Sequence, residues 1–162
     1  MEFEVESGEV VVSDPCYGLG ELTLEVKSGT WESEVEMREG RVGALRASTE
    51  VPFYSQYNEH VANIPVDSGQ AGIFEIGAYR NDNLVEAEPK FWKEYQKSCK
   101  STPGEYWYAA CCDAKLYGDN PYGEVPGGVV ASSGYGDGVY SVEVVREDDE
   151  IVAIKITFIE EE

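Results

Sequence analysis

Three segments of this chain end a β-branched run with aspartate, serine and glycine, residue types that could together bind a ligand. They are residues 10–18 (VVVSDPCYG), 64–72 (IPVDSGQAG) and 129–138 (VVASSGYGDG). Each pattern is typical of a strand that ends in a tight loop. Asp and Ser side chains hydrogen-bond to the backbone of such loops, and glycine adopts the positive φ that they need. If the three strand ends lie side by side, their carboxylates, hydroxyls and N–H groups would form one site.

The candidate ligand-binding residues are the polar and aromatic side chains of these loops. They are Asp14, Cys16, Tyr17, Asp67, Ser68, Gln70, Ser132, Ser133 and Asp137. Loop 132–138 is rich in glycine and hydroxyls, as phosphate-binding nests are, so a nucleotide-like molecule is one candidate ligand, although Asp137 would repel phosphate. A bulged entry into a hairpin is the alternative explanation for the glycines. The three aspartates could instead hold Mg²⁺ or Ca²⁺. Because no Walker, dinucleotide or EF-hand spacing occurs, we predict no metal and no cofactor. The local alternative is that each aspartate caps its own loop.

Cysteine catalysis would require Cys16 to be activated by the only histidine, His60. The strongly negative surroundings argue against it, because negative charge raises the pKa of a thiol. The three other cysteines lie in apolar segments and are expected to be reduced thiols of the core, namely Cys99, Cys111 and Cys112. No complete catalytic set is recognisable, so the sequence favours a binding protein over an enzyme.

The charge balance limits the choice of partner. The formal net charge is −20, from 32 acidic and 12 basic residues. Direct nucleic-acid binding and attachment to anionic membranes are both disfavoured, because both depend on basic residues. The acidic residues serve solubility, or they bind a basic partner such as a nucleic-acid-binding protein by imitating phosphates. There is no apolar run long enough to cross a membrane and no secretory pattern, so a cytoplasmic location is expected.

Aromatic residues form a second candidate surface. They are Tyr106, Trp107, Tyr108, Tyr117 and Tyr122. Tyrosine and tryptophan are enriched at the centres of protein interfaces, so these residues are predicted to contact a protein partner. Packing in the hydrophobic core is the alternative for the same residues.

The predicted elements amount to one α+β domain over residues 1–162. Alternating apolar residues over 3–5, 9–13, 22–26, 31–37 and 41–47 predict strands of an antiparallel meander. Residues 89–99 begin with proline and carry an apolar stripe, which predicts the one main helix. Residues 106–116 fit either a buried strand or a short helix, and 117–128 resemble a loop. Residues 140–145 and 151–158 predict a C-terminal hairpin whose Ile154 and Ile156 are buried.

Several motifs occur in the same order in a known family. They are Asp14-Pro15-Cys16-Tyr17, the DSGQAG of residues 67–72, the SSGYGDGVY of residues 132–140 and the closing 151–156. Over residues 8–159 the chain resembles an uncharacterised domain-of-unknown-function family of phages and their bacterial hosts, although residues 81–125 match least. The resemblance implies an intracellular, mobile-element setting and carries no activity.

Two functions are therefore expected. The first is an intracellular binding or inhibitory protein that engages a protein partner through its acidic and aromatic surface. The alternative is a small-ligand protein that binds or hydrolyses a nucleotide-like molecule where the three loops meet.

Overall fold

The structure is a computed structural model that describes residues 1–49, 57, 59–95 and 102–161. Its strands are β1 (Glu2–Val5), β2 (Glu9–Ser13), β3 (Leu22–Glu25), β4 (Gly29–Arg38), β5 (Arg41–Ser48), β6 (Glu59–Val66), β7 (Gln70–Glu75), β8 (Tyr122–Val125), β9 (Gly128–Ser132), β10 (Gly138–Glu147) and β11 (Glu150–Thr157). Its α-helices are α1 (Trp92–Tyr95) and α2 (Glu105–Leu116).

The strands form two sheets in which all named pairs are antiparallel. The first sheet has the order β1-β4-β5-β11-β10-β6, and the second has the order β3-β2-β7-β9-β8. Alternate residues of both sheets point into one buried cluster, which includes Trp31 and Ile154 of the first sheet and Ile73 and Val129 of the second. The sheets therefore pack face to face around a shared core.

Helix α2 covers the outer face of the second sheet. Trp107 and Cys111, four residues apart and so on one side of the helix, pack against Phe74 and Val130. The rings of Phe74 and Trp107 meet edge to face with centroids 5.0 Å apart. The indole N–H of Trp107 is satisfied by the carbonyl oxygen of Pro126 at 3.2 Å. The domain thus has three layers: the first sheet, the second sheet and the helix.

The predicted fold class is confirmed: the protein is mostly antiparallel sheet with one main helix packed on it. The C-terminal hairpin is also confirmed. Its strands β10 and β11 place Val142 opposite Ile156 and Val144 opposite Ile154. Both isoleucines are completely buried, as their alternation with polar residues predicts.

The position of the main helix differs from the prediction. Residues 89–95 contain the four-residue α1, and the rest of the predicted helix, residues 96–99, lies outside the described part of the chain. The main helix is α2, in the segment that the sequence left open between strand and helix. A distant residue helps to start it, because the carboxylate of Asp82 accepts the N–H groups of Gly104 and Trp107, both at 2.9 Å. Local periodicity could not reveal that contact.

The N-terminal strands do not form one meander. Strand β1 pairs with β4 in the first sheet, whereas β2 pairs with β3 and β7 in the second. The turn at Ser7-Gly8 therefore carries the chain from one sheet to the other. Strand β8 lies inside the segment predicted to be a loop. Alternation identifies the face that a strand buries, but it does not identify the neighbouring strand.

Candidate functional site

The first two loops are joined through the carboxylate of Asp14, which is fully buried. Its Oδ2 accepts the N–H groups of Asp67 at 2.9 Å and Ser68 at 2.6 Å. Its Oδ1 accepts the N–H of Cys16 at 2.9 Å and the hydroxyl of Ser68 at 2.6 Å. Both oxygens are thus occupied by the protein itself. Asp14 caps its own loop, as the local alternative predicts. It also binds the second loop and so holds the two loops together.

Two residues that the sequence analysis did not select fix the Asp14 loop from the side of α2. The hydroxyl of Tyr79 donates to the carbonyl oxygen of Tyr17 at 2.6 Å. The guanidinium of Arg80 donates to the carbonyl oxygen of Pro15 at 3.0 Å and pairs with Glu105 of α2 at 3.1 Å. They follow β7 without a loop motif of their own, so the sequence held no local clue to this role.

The third loop joins the second. The N–H of Ser133 donates to the carbonyl oxygen of Gly69 at 3.0 Å. Asp137 also lies beside Gly69. A Cβ atom added to Gly69 would be 4.0 Å from Oδ1 of Asp137. The three loops therefore occupy one contiguous region, as their shared pattern suggests.

The predicted ligand-binding residues differ in their accessibility. Three are buried, namely Asp14, Gln70 and Ser133. The hydroxyl of Ser133 donates to the carbonyl oxygen of Gly136 at 2.8 Å, and the side-chain amide of Gln70 donates to the sulfur of Cys112 at 3.4 Å. These three side chains bond to the protein itself, although Oε1 of Gln70 is buried without a hydrogen-bond partner among the described residues, and their role in ligand binding stays a prediction. Half-buried or exposed are Cys16, Tyr17, Ser68, Ser132, Asp67 and Asp137.

The three thiols of the described residues are held in the protonated form, and Cys99 lies outside those residues. Burial, followed by the neighbouring carboxylate of Asp14, raises the pKa of Cys16 to about 12. Burial also raises the pKa of Cys111 and of Cys112. His60 lies six residues before the end of β6, which is about 20 Å along the strand from the loop bound by Asp14. It contacts the side-chain oxygen of Asn63 at 3.0 Å, so no Cys16–His60 pair is formed.

The predicted aromatic surface is largely part of the core. Trp107 is completely buried and Tyr108 is 8% exposed, so neither is available to a partner. Tyr106 is half-buried, with its ring 5.1 Å from that of Trp92, and Tyr122 packs partly against the main core. Tyr117 is 45% exposed and is the accessible member of the set. Core packing, the alternative for these residues, is therefore correct for Trp107 and Tyr108.

Tyr117 lines a groove of about 420 Å³ between residues 85–90, α2 and β8, which we call the acidic groove. Its apolar wall is formed by Val85, Ala110, Ala114, Val125 and Pro126, and its acidic side chains are Glu86, Glu88, Asp113 and Glu124. Asp113 also anchors the groove, because it accepts the N–H groups of Lys90 at 2.7 Å and Phe91 at 2.8 Å.

A strip of carboxylates continues from the acidic groove onto the first sheet. We call Glu2, Glu4, Glu32 and Glu124 the acidic strip. The N–H of Glu2 donates to Oε1 of Glu124 at 3.0 Å, and Glu2 lies directly opposite Glu32 in the sheet. The hydrogen bond and the repulsion between these two side chains raise the pKa of Glu2. In the part of the chain that the structure describes, no member of the strip forms an ion pair.

A second cavity, of about 370 Å³, lies beside the second and third loops. Loop residues Gly69, Ser132, Gly134 and Gly136 line it together with Arg41, Lys115 and Tyr135. Arg41, Lys115 and Tyr135 are not among the ligand-binding residues predicted from the sequence. The spacing of Arg41 and Lys115 in the sequence gives no sign that they meet.

Among the described residues, no group of three or more His, Cys, Asp or Glu side chains is arranged to hold a metal ion. Over the same residues, no helix is long and apolar enough to span a membrane. Comparison of the chain with protein-family models, with curated proteins and with solved structures gave no match. The resemblance to a family of phages and their hosts therefore stays a prediction.

Proposed function

We propose that this protein binds a protein partner through a basic segment of that partner. The observation that carries the proposal is the position of Glu124, which lines the acidic groove and also receives the N–H of Glu2 from the acidic strip. One continuous surface thus combines a concave, partly apolar site with glutamates that form no ion pair in the described part of the chain, and Lys90 is the one basic residue that lines the groove.

The acidic groove suits a lysine or arginine side chain. The aliphatic part of such a side chain packs on an apolar wall, here the one containing Val125 and Pro126, while its charge stays near water. Nζ of Lys90 lies 5.8 Å from the centre of the Tyr117 ring, and a cation of the partner that takes this place gains a cation–π contact worth about 0.5–1 kcal/mol. The carboxylates of Glu86 and Glu88 complete the recognition of the cation.

The acidic strip suits further basic residues of the same segment. Residues two apart on a strand, such as Glu2 and Glu4, lie about 6.7 Å apart, so the sheet presents these carboxylates at a fixed spacing. Like charges directly opposite each other in a sheet are destabilising, and a cation between Glu2 and Glu32 would relieve that repulsion. A nucleic-acid-binding protein, whose surface is built to contact phosphates, is a partner of this kind. With the intracellular setting that the motif resemblance implies, the proposed role is binding or inhibition of such a protein.

The test uses a synthetic peptide in which lysine and arginine alternate with leucine. Its affinity is measured by calorimetry for the natural protein and for a variant carrying Glu86→Gln, Glu88→Gln and Glu124→Gln. Exposed charge pairs contribute about 0.2–1 kcal/mol each, so the loss of three should weaken the affinity of the variant by roughly 3- to 150-fold. Tyr117→Ala should weaken binding by a further few-fold.

A matched control separates a local site from general attraction. The control carries Glu6→Gln, Glu21→Gln and Glu25→Gln, three exposed residues that do not line the groove. It loses the same charge and should bind almost as well as the natural protein. Equal losses in the two variants would mean that only net charge matters, and the proposal would fail.

A further inference from the structure

We propose that the cavity beside the second and third loops binds a nucleoside monophosphate. The binding of a basic partner takes place on other residues, so the two sites can be tested separately. The chain has only 12 basic residues, and most of its arginines are already paired with carboxylates.

Arg41 is an exception among the arginines. Four of the five form ion pairs with glutamates, namely Arg38, Arg46, Arg80 and Arg146. Arg41 forms none with any residue that the structure describes. Its guanidinium instead lies 4.6 Å from the centre of the Tyr135 ring and lines the cavity. An arginine that is positioned by an aromatic ring but lacks a carboxylate partner is available for the oxygens of an anion.

Lys115 brings a second cation to the same cavity from the last turn of α2. Its Nζ donates to the carbonyl oxygen of Ser68 at 3.1 Å and forms no ion pair in the described part of the chain. A Cβ atom added to Gly69 would be 3.5 Å from this Nζ. Glycine at this position, with a φ of +68°, therefore leaves the ammonium group accessible from the loop.

The third loop adds backbone donors. Gly134 adopts a φ of +58°, and the N–H groups of Gly134 and Tyr135 make no hydrogen bond with the described residues. Successive free N–H groups in a turn form the concave arrangement that binds anions. Both residues line the cavity, so these donors supplement the two cations.

Two nearby carboxylates favour a ligand larger than a bare phosphate. Asp137 lies beside Gly69, and Glu39 accepts the hydroxyl of Tyr135. They would repel a second phosphate group, but they suit the ribose hydroxyls and the amino groups of a base, which are hydrogen-bond donors. The ring of Tyr135 is 64% exposed and offers a stacking surface. A volume of about 370 Å³ is in the range of small-molecule sites.

The test is calorimetric titration with the four ribonucleoside monophosphates, the corresponding nucleosides and inorganic phosphate. The experiment is done in about 0.15 M salt, which screens repulsion from the distant acidic residues. We expect at least one monophosphate to bind roughly tenfold more tightly than its nucleoside, because the charged hydrogen bonds are made by the phosphate. Binding of no monophosphate, or equal binding of nucleoside and nucleotide, would overturn the proposal.

Variants locate the site. Arg41→Gln, at an exposed position, and Lys115→Gln should each weaken nucleotide binding by roughly tenfold. The control Lys27→Gln/Lys93→Gln changes two exposed lysines away from the cavity and should change affinity less than twofold. Tyr135→Ser should weaken nucleotide binding more than that of inorganic phosphate, because it removes the stacking surface for the base as well as the ring that positions Arg41. If the control loses as much affinity as Arg41→Gln, the cavity is not the site.

Arg41→Gln should bind the basic peptide normally, which distinguishes failure of this proposal from failure of the proposed function.

Discussion

At the scale of single residues, the carboxylate of Asp14 was a candidate for binding a ligand, but its hydrogen bonds are all made within the protein. Its two oxygens accept four donors from two loops. A carboxylate in this position has no lone pair directed at solvent. The exposed Asp137, by contrast, has no comparable duty in the structure, so the three aspartates that share one sequence pattern have different roles.

We predict that Asp14→Ala lowers the free energy of unfolding by about 3–5 kcal/mol, because it leaves buried N–H donors without an acceptor. Asp137→Ala should change it by less than about 0.5 kcal/mol, since the side chain is exposed. Urea unfolding of the three proteins measures both values. Equal stability of Asp14→Ala and the natural protein would refute the capping role.

A second prediction concerns Cys16, whose pKa is raised to about 12 by burial and by Asp14. An unperturbed thiol has a pKa near 8.5, so the native protein should hold far less thiolate at neutral pH, and alkylation should be slower by on the order of 10²-fold. The measurement is iodoacetamide labelling of native and urea-unfolded protein, followed by mass spectrometry of the Cys16 peptide. Rapid labelling of the native protein that is suppressed by His60→Ala would instead support catalysis.

At the scale of elements, the hairpin of β10 and β11 is the part of the fold most directly encoded in the sequence. Ile156 is completely buried and lies between Val142 and Leu45 on the neighbouring strands. Ile156→Ala should therefore lower the free energy of unfolding by about 2–5 kcal/mol.

Val139 provides the matched control for that element, because it is a β-branched residue of β10 that is 68% exposed. Val139→Ala should cost less than about 1 kcal/mol, which is the range of strand propensity. Thermal and urea unfolding compare the two variants. The assignment of Ile156 to the core would be wrong if Ile156→Ala had the same melting temperature as the natural protein.

At the scale of the whole molecule, buried protonated groups set the response to alkaline pH. Burial raises the pKa of the Cys111 thiol and of the Tyr79 and Tyr108 hydroxyls. In the unfolded chain these groups lose their protons near pH 8.5 for cysteine and near pH 10 for tyrosine. Above those values the folded state retains more protons than the unfolded state, so stability falls as pH rises.

We therefore predict stability that falls with pH above about 8.5. Each proton held only by the folded state steepens the fall by about 1.4 kcal/mol per pH unit. Urea midpoints measured between neutral pH and about pH 10 test this. In the Cys111→Ala variant the unfolding free energy should fall less steeply with pH, because one buried protonated group is removed. This difference in slope does not depend on the stability of the variant at neutral pH. A flat profile in the natural protein would contradict the prediction.

Much of the fold could be predicted from the sequence because alternation is a local property. Residues such as Ile154 and Ile156 are separated by one polar residue, and that spacing alone places them on one face of a strand. The loop motifs are equally local, since Asp, Ser and Gly act on backbone groups a few positions away. Most strand positions, the C-terminal hairpin and the loops at strand ends are therefore determined by local sequence, with β8 as an exception.

The tertiary structure alone decided which strands are neighbours and what the site residues contact. Asp14 finds its donors at Asp67 and Ser68, and Asp82 finds Gly104, through folding rather than through spacing. Arg41 and Lys115 meet at one cavity for the same reason. Contacts between residues far apart in the chain depend on how sheets and helix pack, and no local periodicity records that packing.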